Sequence, residues 1–357
     1  MKNIYKLAIT IILPLMLLNT AIAAEENKLI QQNSIKDKNV LAKEYSNIGS
    51  SFLRLKKYQE AIENFDIAIK YDPSYASAYN SKGIALADLG KALEAVENYD
   101  LAIKHKPHFA EAYNNKAVSY RKLGKNEEAI ILCDLAIKYK PNYVTAYNNK
   151  GAALNNLGRY EEAMENFDVA IRYNSSYPEA YYNKGIALLN LGDIHGAIKN
   201  CDIAIRYRPN YSEAYHNKGL TLAFLGQMQN AIEHFDLAIK YDPSYLKTYC
   251  NKGYILSLLK RYSEAIESCN IAIKYDPNYA DIYYNKGMIL EKLGNHQEAV
   301  ENFDIAIKYN PNFAENYLEK GISLVSLGQY SKAKENFNLA IKYMPNLIAE
   351  YEQQLKS

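Results

Sequence analysis

A period of 34 residues governs this sequence. The stretch AYNNKGAALNNLGRYEEAMENFDVAIRYN from Ala146 returns two periods later, from Ala214, as AYHNKGLTLAFLGQMQNAIEHFDLAIKYD. Nine such units run without a gap from Ala42 to Leu347. A fixed period of this length constrains folding more than any composition figure. Each unit is one supersecondary element that buries its apolar side only by stacking on its neighbours, so no single core exists.

Indexing each unit from its first residue exposes the chemistry. The fourth residue is always Tyr, from Tyr45 to Tyr317, which accounts for part of a total of 34 Tyr in a chain without Trp. The eighth is Gly except for Ala117 in the third unit, the fourteenth is always Leu, and the fifteenth is usually Gly, as in Gly90 and Gly124. The twentieth and twenty-seventh are always Ala, as in Ala61 and Ala68. The thirty-second is Pro in eight units; in the fourth it is Ser175, and Pro178 stands instead at the first turn of the next helix. Apolar and small residues recur at helical spacing on both sides of the Leu-Gly break. Gly past a helix end takes the left-handed conformation that closes it, and Pro ends the second helix. Gly and the two Ala let the paired helices approach closely, with Tyr expected to fill the gap beside them.

The pattern resembles the tetratricopeptide repeat family, whose Trp-x-x-Leu-Gly-x-x-Tyr…Ala…Phe…Ala…Pro signature maps here with Tyr for Trp. One departure is systematic: the seventh residue, apolar in the family, is Ile48 in the first unit and Lys in the other eight, Lys82 through Lys320. A Lys can lay its stem over the helix pair and keep its amine wet, a reading preferred to an anion-binding ladder. The resemblance implies an all-α class, an α-solenoid with a right-handed superhelix of nine helix-turn-helix hairpins. The expected organisation is a secretory signal peptide over 1–23 and a leader over 24–41. Repeats follow at 42–75, 76–109, 110–143, 144–177, 178–211, 212–245, 246–279, 280–313 and 314–347, and a capping helix at 348–357 closes the stack. The twenty-fourth residue alternates, with Cys133, Cys201 and Cys269 in units three, five and seven and Tyr99, Phe167, Phe235 and Phe303 in the even units, a sign of growth by copying a two-hairpin block.

The first residues read as an export signal. Lys2 and Lys6 precede an apolar stretch from Leu7 to Leu18, and Ala21-Ile22-Ala23 is the small-x-small pattern of a cleavage site. The stretch is shorter than the ~20 residues a spanning helix needs. Cleavage is expected before Ala24, with a periplasmic or secreted product. Removal of those two lysines cancels the formal charge of +2, and a neutral chain lacks the basic field that draws nucleic acid.

Catalytic and metal motifs do not emerge. There is no HExxH, phosphate-binding Gly-rich loop or GxSxG, and every Gly belongs to the repeat except Gly196. The six His are scattered, with His105 and His108 flanking Pro107 in a link, and are read as surface groups. Three Cys recur two hairpins apart, too far for disulfide geometry; Cys133, Cys201 and Cys269 are read as small buried apolar groups and Cys250 as accessible, with no disulfide expected. Asp at the twenty-fifth position (Asp66, Asp100, Asp134) is read as a solvated row without a partner. Acids at the start of each second helix, as in Glu127 and Glu128, and a base near its end complement the helix dipole. The chain is therefore expected to be no enzyme, with no cofactor.

What remains is binding. The resemblance implies that the first helix of each hairpin lines a concave groove through its second, fifth, sixth, ninth, twelfth and thirteenth residues. The sixth is Asn in seven units: Asn47, Asn115, Asn149, Asn183, Asn217, Asn251 and Asn285. Such a row either hydrogen-bonds the backbone of an extended peptide or is a copied, tolerated residue, and the two readings stand level. The fifth residue changes from Ser46, Asn80, Asn114 and Asn148 to Tyr182, His216, Cys250, Tyr284 and Leu318. With Ile186, Leu220, Phe224, Tyr254, Leu258 and Met288 these give the C-terminal half an apolar, aromatic inner strip, unless some pack between units. The Lys, Asn, Asn, Lys, Arg clamp of the family's chaperone-tail binders keeps only its middle Asn here, so that mode is not expected. The leading expectation is a non-catalytic scaffold of the bacterial cell envelope that binds a peptide or partner helix. A targeting or assembly subunit of an envelope enzyme complex, or a glycan or small-molecule groove, are the alternatives.

Overall fold

The computed structural model describes residues 38–344. The expected signal peptide and closing helix lie outside them. The described residues form eighteen helices and no strand. They fall in two compact units, divided between residues 149 and 150. In the first, the A helices Lys38–Arg54, Ala76–Asp88 and Ala110–Lys122 pair with the B helices Tyr58–Tyr71, Ala92–His105 and Asn126–Tyr139. The division falls inside Val144–Asn156, the A helix of repeat 4. The second unit continues with Tyr160–Tyr173 and then five hairpins. Their A helices are Pro178–Asn190, Ser212–Phe224, Leu246–Leu258, Ala280–Lys292 and Ala314–Ser326, and their B helices Ile194–Tyr207, Met228–Tyr241, Tyr262–Tyr275, His296–Tyr309 and Tyr330–Tyr343.

Helix ends follow from single residues. Seven glycines at the fifteenth position have φ between 71° and 86°, the left-handed region that closes the A helix. Lys56 and Lys260 are forced into the same region, at φ 58° and 59°. The B helix ends two residues before Pro: the N–H of Asp72, for example, still reaches Ala68 O at 2.9 Å while Asp72 itself is extended. Most B helices start without a side-chain cap. The exception is Asp193, whose carboxylate accepts the Gly196 N–H at 2.8 Å. A Cβ at Gly196 would meet Asp193 Oδ2 at 2.2 Å, which explains the one glycine outside the repeat pattern.

The helix pair closes on an aromatic ring, and here the expected role of Tyr is corrected. The ring beside the eighth-position glycine comes from the twenty-fourth residue. A Cβ at Gly219 would lie 2.7 Å from Phe235, and one at Gly83 only 2.5 Å from Tyr99. Phe65, Phe167, Phe235 and Phe303 are wholly buried, worth about 2–3 kcal/mol each in transfer alone. The fourth-position Tyr works at the open end of the hairpin instead. Its hydroxyl donates to the carbonyl of the residue at the preceding unit's thirty-second position, as in Tyr79 to Pro73 at 3.3 Å and Tyr317 to Pro311 at 2.9 Å. Its ring stacks on the thirtieth residue, as in Tyr45 on Tyr71 and Tyr317 on Tyr343.

The two-unit superperiod has a packing cause. In repeats 5 and 7 the ring is replaced by buried Cys201 and Cys269, and a Cβ at Gly185 or Gly253 meets nothing nearer than 3.3 Å and 3.5 Å. Repeat 3 joins Cys133 to Ala117, so a methyl already occupies the relaxed site. Space left beside Cys269 is taken from the next repeat, whose Ile289 would sit 3.7 Å from that Cβ.

A second correction concerns charge. The twenty-fifth-position Asp is not a lone solvated row. Lys82, Lys116, Lys184, Lys218, Lys252 and Lys320 reach the Asp of the preceding repeat (Asp66, Asp100, Asp168, Asp202, Asp236 and Asp304) at 2.5–2.7 Å. The Lys stem is mostly covered and the Asp half exposed, so each rung contributes no more than about 1 kcal/mol. Apolar filling, not ion pairing, carries the stack.

Candidate partner-binding face

Residues 2, 5, 6, 9, 12 and 13 of each A helix share one helical face. Its fifth position points between repeats. Asn80, Asn114, His216 and Cys250 are buried, while Tyr182, Tyr284 and Leu318 are half-buried. Cys250 was expected to be accessible; it is buried in the cluster of repeats 6–8 with Tyr249 and Ile282, and burial pushes its thiol pKa up to about 12. Cys201 and Cys269 are raised to about 12 by the same burial, so none is a ready nucleophile.

His216 is likewise no surface group, whereas His105, His108 and His195 are exposed. Its Nδ1 lies 3.0 Å from Thr248 Oγ1 and its ring packs on Phe235 and Tyr245. Burial, with help from Lys247, lowers its pKa to about 4, so the imidazole is neutral at pH 7.

The sixth-position Asn row is largely spent inside the protein. Asn115 Nδ2 donates to Asn80 Oδ1 at 3.1 Å, and Asn149 Nδ2 to Asn114 Oδ1 at 2.9 Å. In the second unit the partner at position five changes but the pairing persists. Asn217 hydrogen-bonds Tyr182, Asn251 Nδ2 lies 3.4 Å from His216 Nε2, and Asn285 bonds Cys250 as well as the Asp281 carbonyl at 2.8 Å. Asn183 contributes its carbonyl to Asn155 Nδ2 at 3.1 Å. Asn47, which begins the row, is exposed. The row is a ladder between successive repeats, a role that residue identity alone did not reveal because the fifth-position partner varies.

Apolar exposure appears farther along the same face. Phe224 is 74% exposed, Tyr254 51% and Leu258 41%. Ile186, Leu220 and Met288 are half-buried; Leu220 packs into the repeat 6–8 cluster, and Met288 with Tyr284 against Leu290 and Phe303. Two neighbours of the strip were not singled out from sequence. Lys292 Nζ lies 5.6 Å from the centre of the Tyr254 ring, a cation–π contact. A cleft of about 350 Å³ opens at the start of the A helices of repeats 7 and 8, lined by Lys247, Asn251, Tyr279, Asp281, Asn285 and Phe313 among others. Among the described residues no cluster of His, Cys, Asp and Glu could hold a metal, and no helix is long and apolar enough to cross a membrane.

Tetratricopeptide repeat family models match 47–105, 82–143, 132–165, 178–211, 212–245, 246–279, 280–313 and 314–347, and a TPR repeat model matches 153–192. The chain belongs to the tetratricopeptide repeat family. No curated protein matches it. Among solved structures, a chain of the APC/C hetero-tetramer Cut9–Hcn1 aligns with TM-score 0.60 and 17% identity over 75% of this chain and 52% of that one. The present chain thus spans about half its length. PilF of Pseudomonas aeruginosa aligns with TM-score 0.51 and 17% identity over 60% of this chain and 97% of that one. At these identities the likeness is one of fold, an all-α solenoid of helical hairpins.

Proposed function

We propose that the protein is a non-catalytic interaction scaffold of the bacterial cell envelope, exported by its leader, that holds a peptide or a partner helix on the A-helix face. The observation that carries this is the exposure of Phe224, Tyr254 and Leu258 on the A helices of repeats 6 and 7. Aromatic side chains held rigidly on helices are good binding anchors, and large exposed apolar groups in register mark interaction surfaces. The Asn ladder supports the strip from behind by fixing the A helices to each other. Export rests on Lys2, Lys6, the apolar stretch and Ala21-Ile22-Ala23.

The test is cross-linked recovery of partners from bacterial envelope fractions by the full chain and by the Phe224→Ala/Tyr254→Ala double variant. Both side chains are exposed, so the variant keeps its fold, checked by circular dichroism. A protein partner retained by the parent and lost by the variant is the expected result. Equal retention by both rules out the strip. An intact Met1 in the mature protein, read by mass, rules out export by cleavage.

A further inference from the structure

The charged residues that flank the aromatic strip are unbalanced. On the A-helix faces of repeats 6–9, positions 2 and 12 carry the carboxylates Glu213, Asp281, Glu291 and Glu315, while burial raises the pKa of Glu319, at position 6, to about 7. Only Lys247 and Lys292 oppose them, and Lys292 lies over Tyr254. The seventh-position lysines of these A helices lie on a different side of the helix: Lys218, Lys252 and Lys320 are paired there with Asp202, Asp236 and Asp304, and Lys286 occupies the same position in repeat 8. Of these acids Asp281 lines the cleft, beside Lys247. Tyr279 hydrogen-bonds Asp281 there, and Tyr245 lies in the field of both Glu213 and Asp242. The thirty-first position, at the lip of each hairpin, is Asp242 and Asp276 in repeats 6 and 7, whereas it is Arg208, paired with Glu179, in repeat 5.

Resting on the groove reading above, we infer that the face formed by repeats 6–9 takes a basic amphipathic segment: apolar side chains seated on Phe224, Tyr254 and Leu258, with flanking Lys or Arg meeting the carboxylates of Glu213, Asp281 and Glu315. Charge complementarity of this kind selects partners and sets encounter rates more than it sets total affinity. An arginine of the segment gains a second contact, because the exposed Phe224 ring offers a face for a cation. An acidic segment of the same apolar pattern is repelled, because the carboxylates of Glu213, Asp281, Glu291 and Glu315 outnumber the ammonium groups of Lys247 and Lys292.

Two labelled helical peptides with identical apolar positions, one bearing Lys and Arg and the other Glu at the polar positions, test this by fluorescence anisotropy on the full chain. The basic peptide is expected to bind at least about tenfold tighter, with a preference that shrinks as salt is raised. Asp281→Asn/Glu315→Gln should narrow the ratio by about threefold, and Phe224→Ala should weaken both peptides. Equal affinities, or a preference for the acidic peptide, overturn the charge inference, and if Phe224→Ala still abolishes that binding the groove reading stands. Binding that ignores Phe224→Ala and Tyr254→Ala overturns the groove reading itself. Binding of neither peptide overturns the inference, whatever partner the cross-linking recovers.

Discussion

At the scale of single residues, one glycine position does two different jobs. In repeats 6 and 8 the added methyl of an alanine would lie 2.6–2.7 Å from Phe303 or Phe235. Gly219→Ala and Gly287→Ala should therefore lower the urea midpoint by an amount equivalent to about 1–3 kcal/mol. In repeats 5 and 7, where Cys replaces the ring, Gly185→Ala and Gly253→Ala should be neutral or stabilising by up to about 1 kcal/mol, because helix propensity favours Ala. Equal losses at all four sites would refute the packing account. Two buried titrating groups act in opposite directions. His216 is depressed to about 4 by burial, so the unfolded chain binds the extra proton between pH 4 and 6.5. Its stabilising contribution is complete above 6.5 and is lost as pH falls, about 2 kcal/mol between pH 7 and 5. Glu319 is raised to about 7 by burial and by Glu291, against Lys292. The native state holds that proton, and stability falls as pH climbs from about 4.5 to about 7 and levels off above it. Denaturation curves across this range should flatten on the acid side in His216→Asn and on the neutral side in Glu319→Gln.

At the scale of elements, the repeat interface is built from three rows: rings in glycine notches, position-six Asn on position-five partners, and Lys on Asp. The Lys–Asp row is broken by sequence in the second unit at repeat 7, since Asn270 stands where Lys286 would find an Asp. Asn270→Asp should restore a rung and raise the thermal midpoint modestly, by less than about 1 kcal/mol equivalent, with the gain disappearing in high salt. A gain that persists in high salt would mean that something other than pairing is responsible. The element ends were legible in sequence because left-handed closure and proline arrest are local backbone effects. The ladders were not. Each joins residues 16 or 35 apart in sequence, and the register that makes them neighbours is set by stacking. The same limit hid the burial of His216 and Cys250, whose position faces the next repeat.

At the scale of the whole molecule, a stack of near-identical hairpins stores stability as a sum of repeat and nearest-neighbour terms. Removing residues 314–357 should lower the unfolding midpoint yet leave the helical signal per residue of the rest nearly unchanged, read by circular dichroism. Loss of all helix on that truncation would reveal a long-range core that the repeat architecture does not have. Binding specificity lives at this scale too, since no one repeat owns the aromatic strip or the acidic excess of repeats 6–9.

By itself the sequence determined the hairpin, its ends, its period and its membership of the tetratricopeptide repeat family, because those depend on backbone preferences and on apolar spacing within one unit. Tertiary structure decided which polar residues remain available. The Asn row, the Asp row and Cys250 look alike on a helical wheel whether they face solvent or a neighbour, and only stacking places Asn115 on Asn80, Lys82 on Asp66 and Cys250 in a closed cluster. On the A-helix face of repeats 6 and 7 stacking leaves Phe224, Tyr254 and Leu258 uncovered, and the proposed function rests on them.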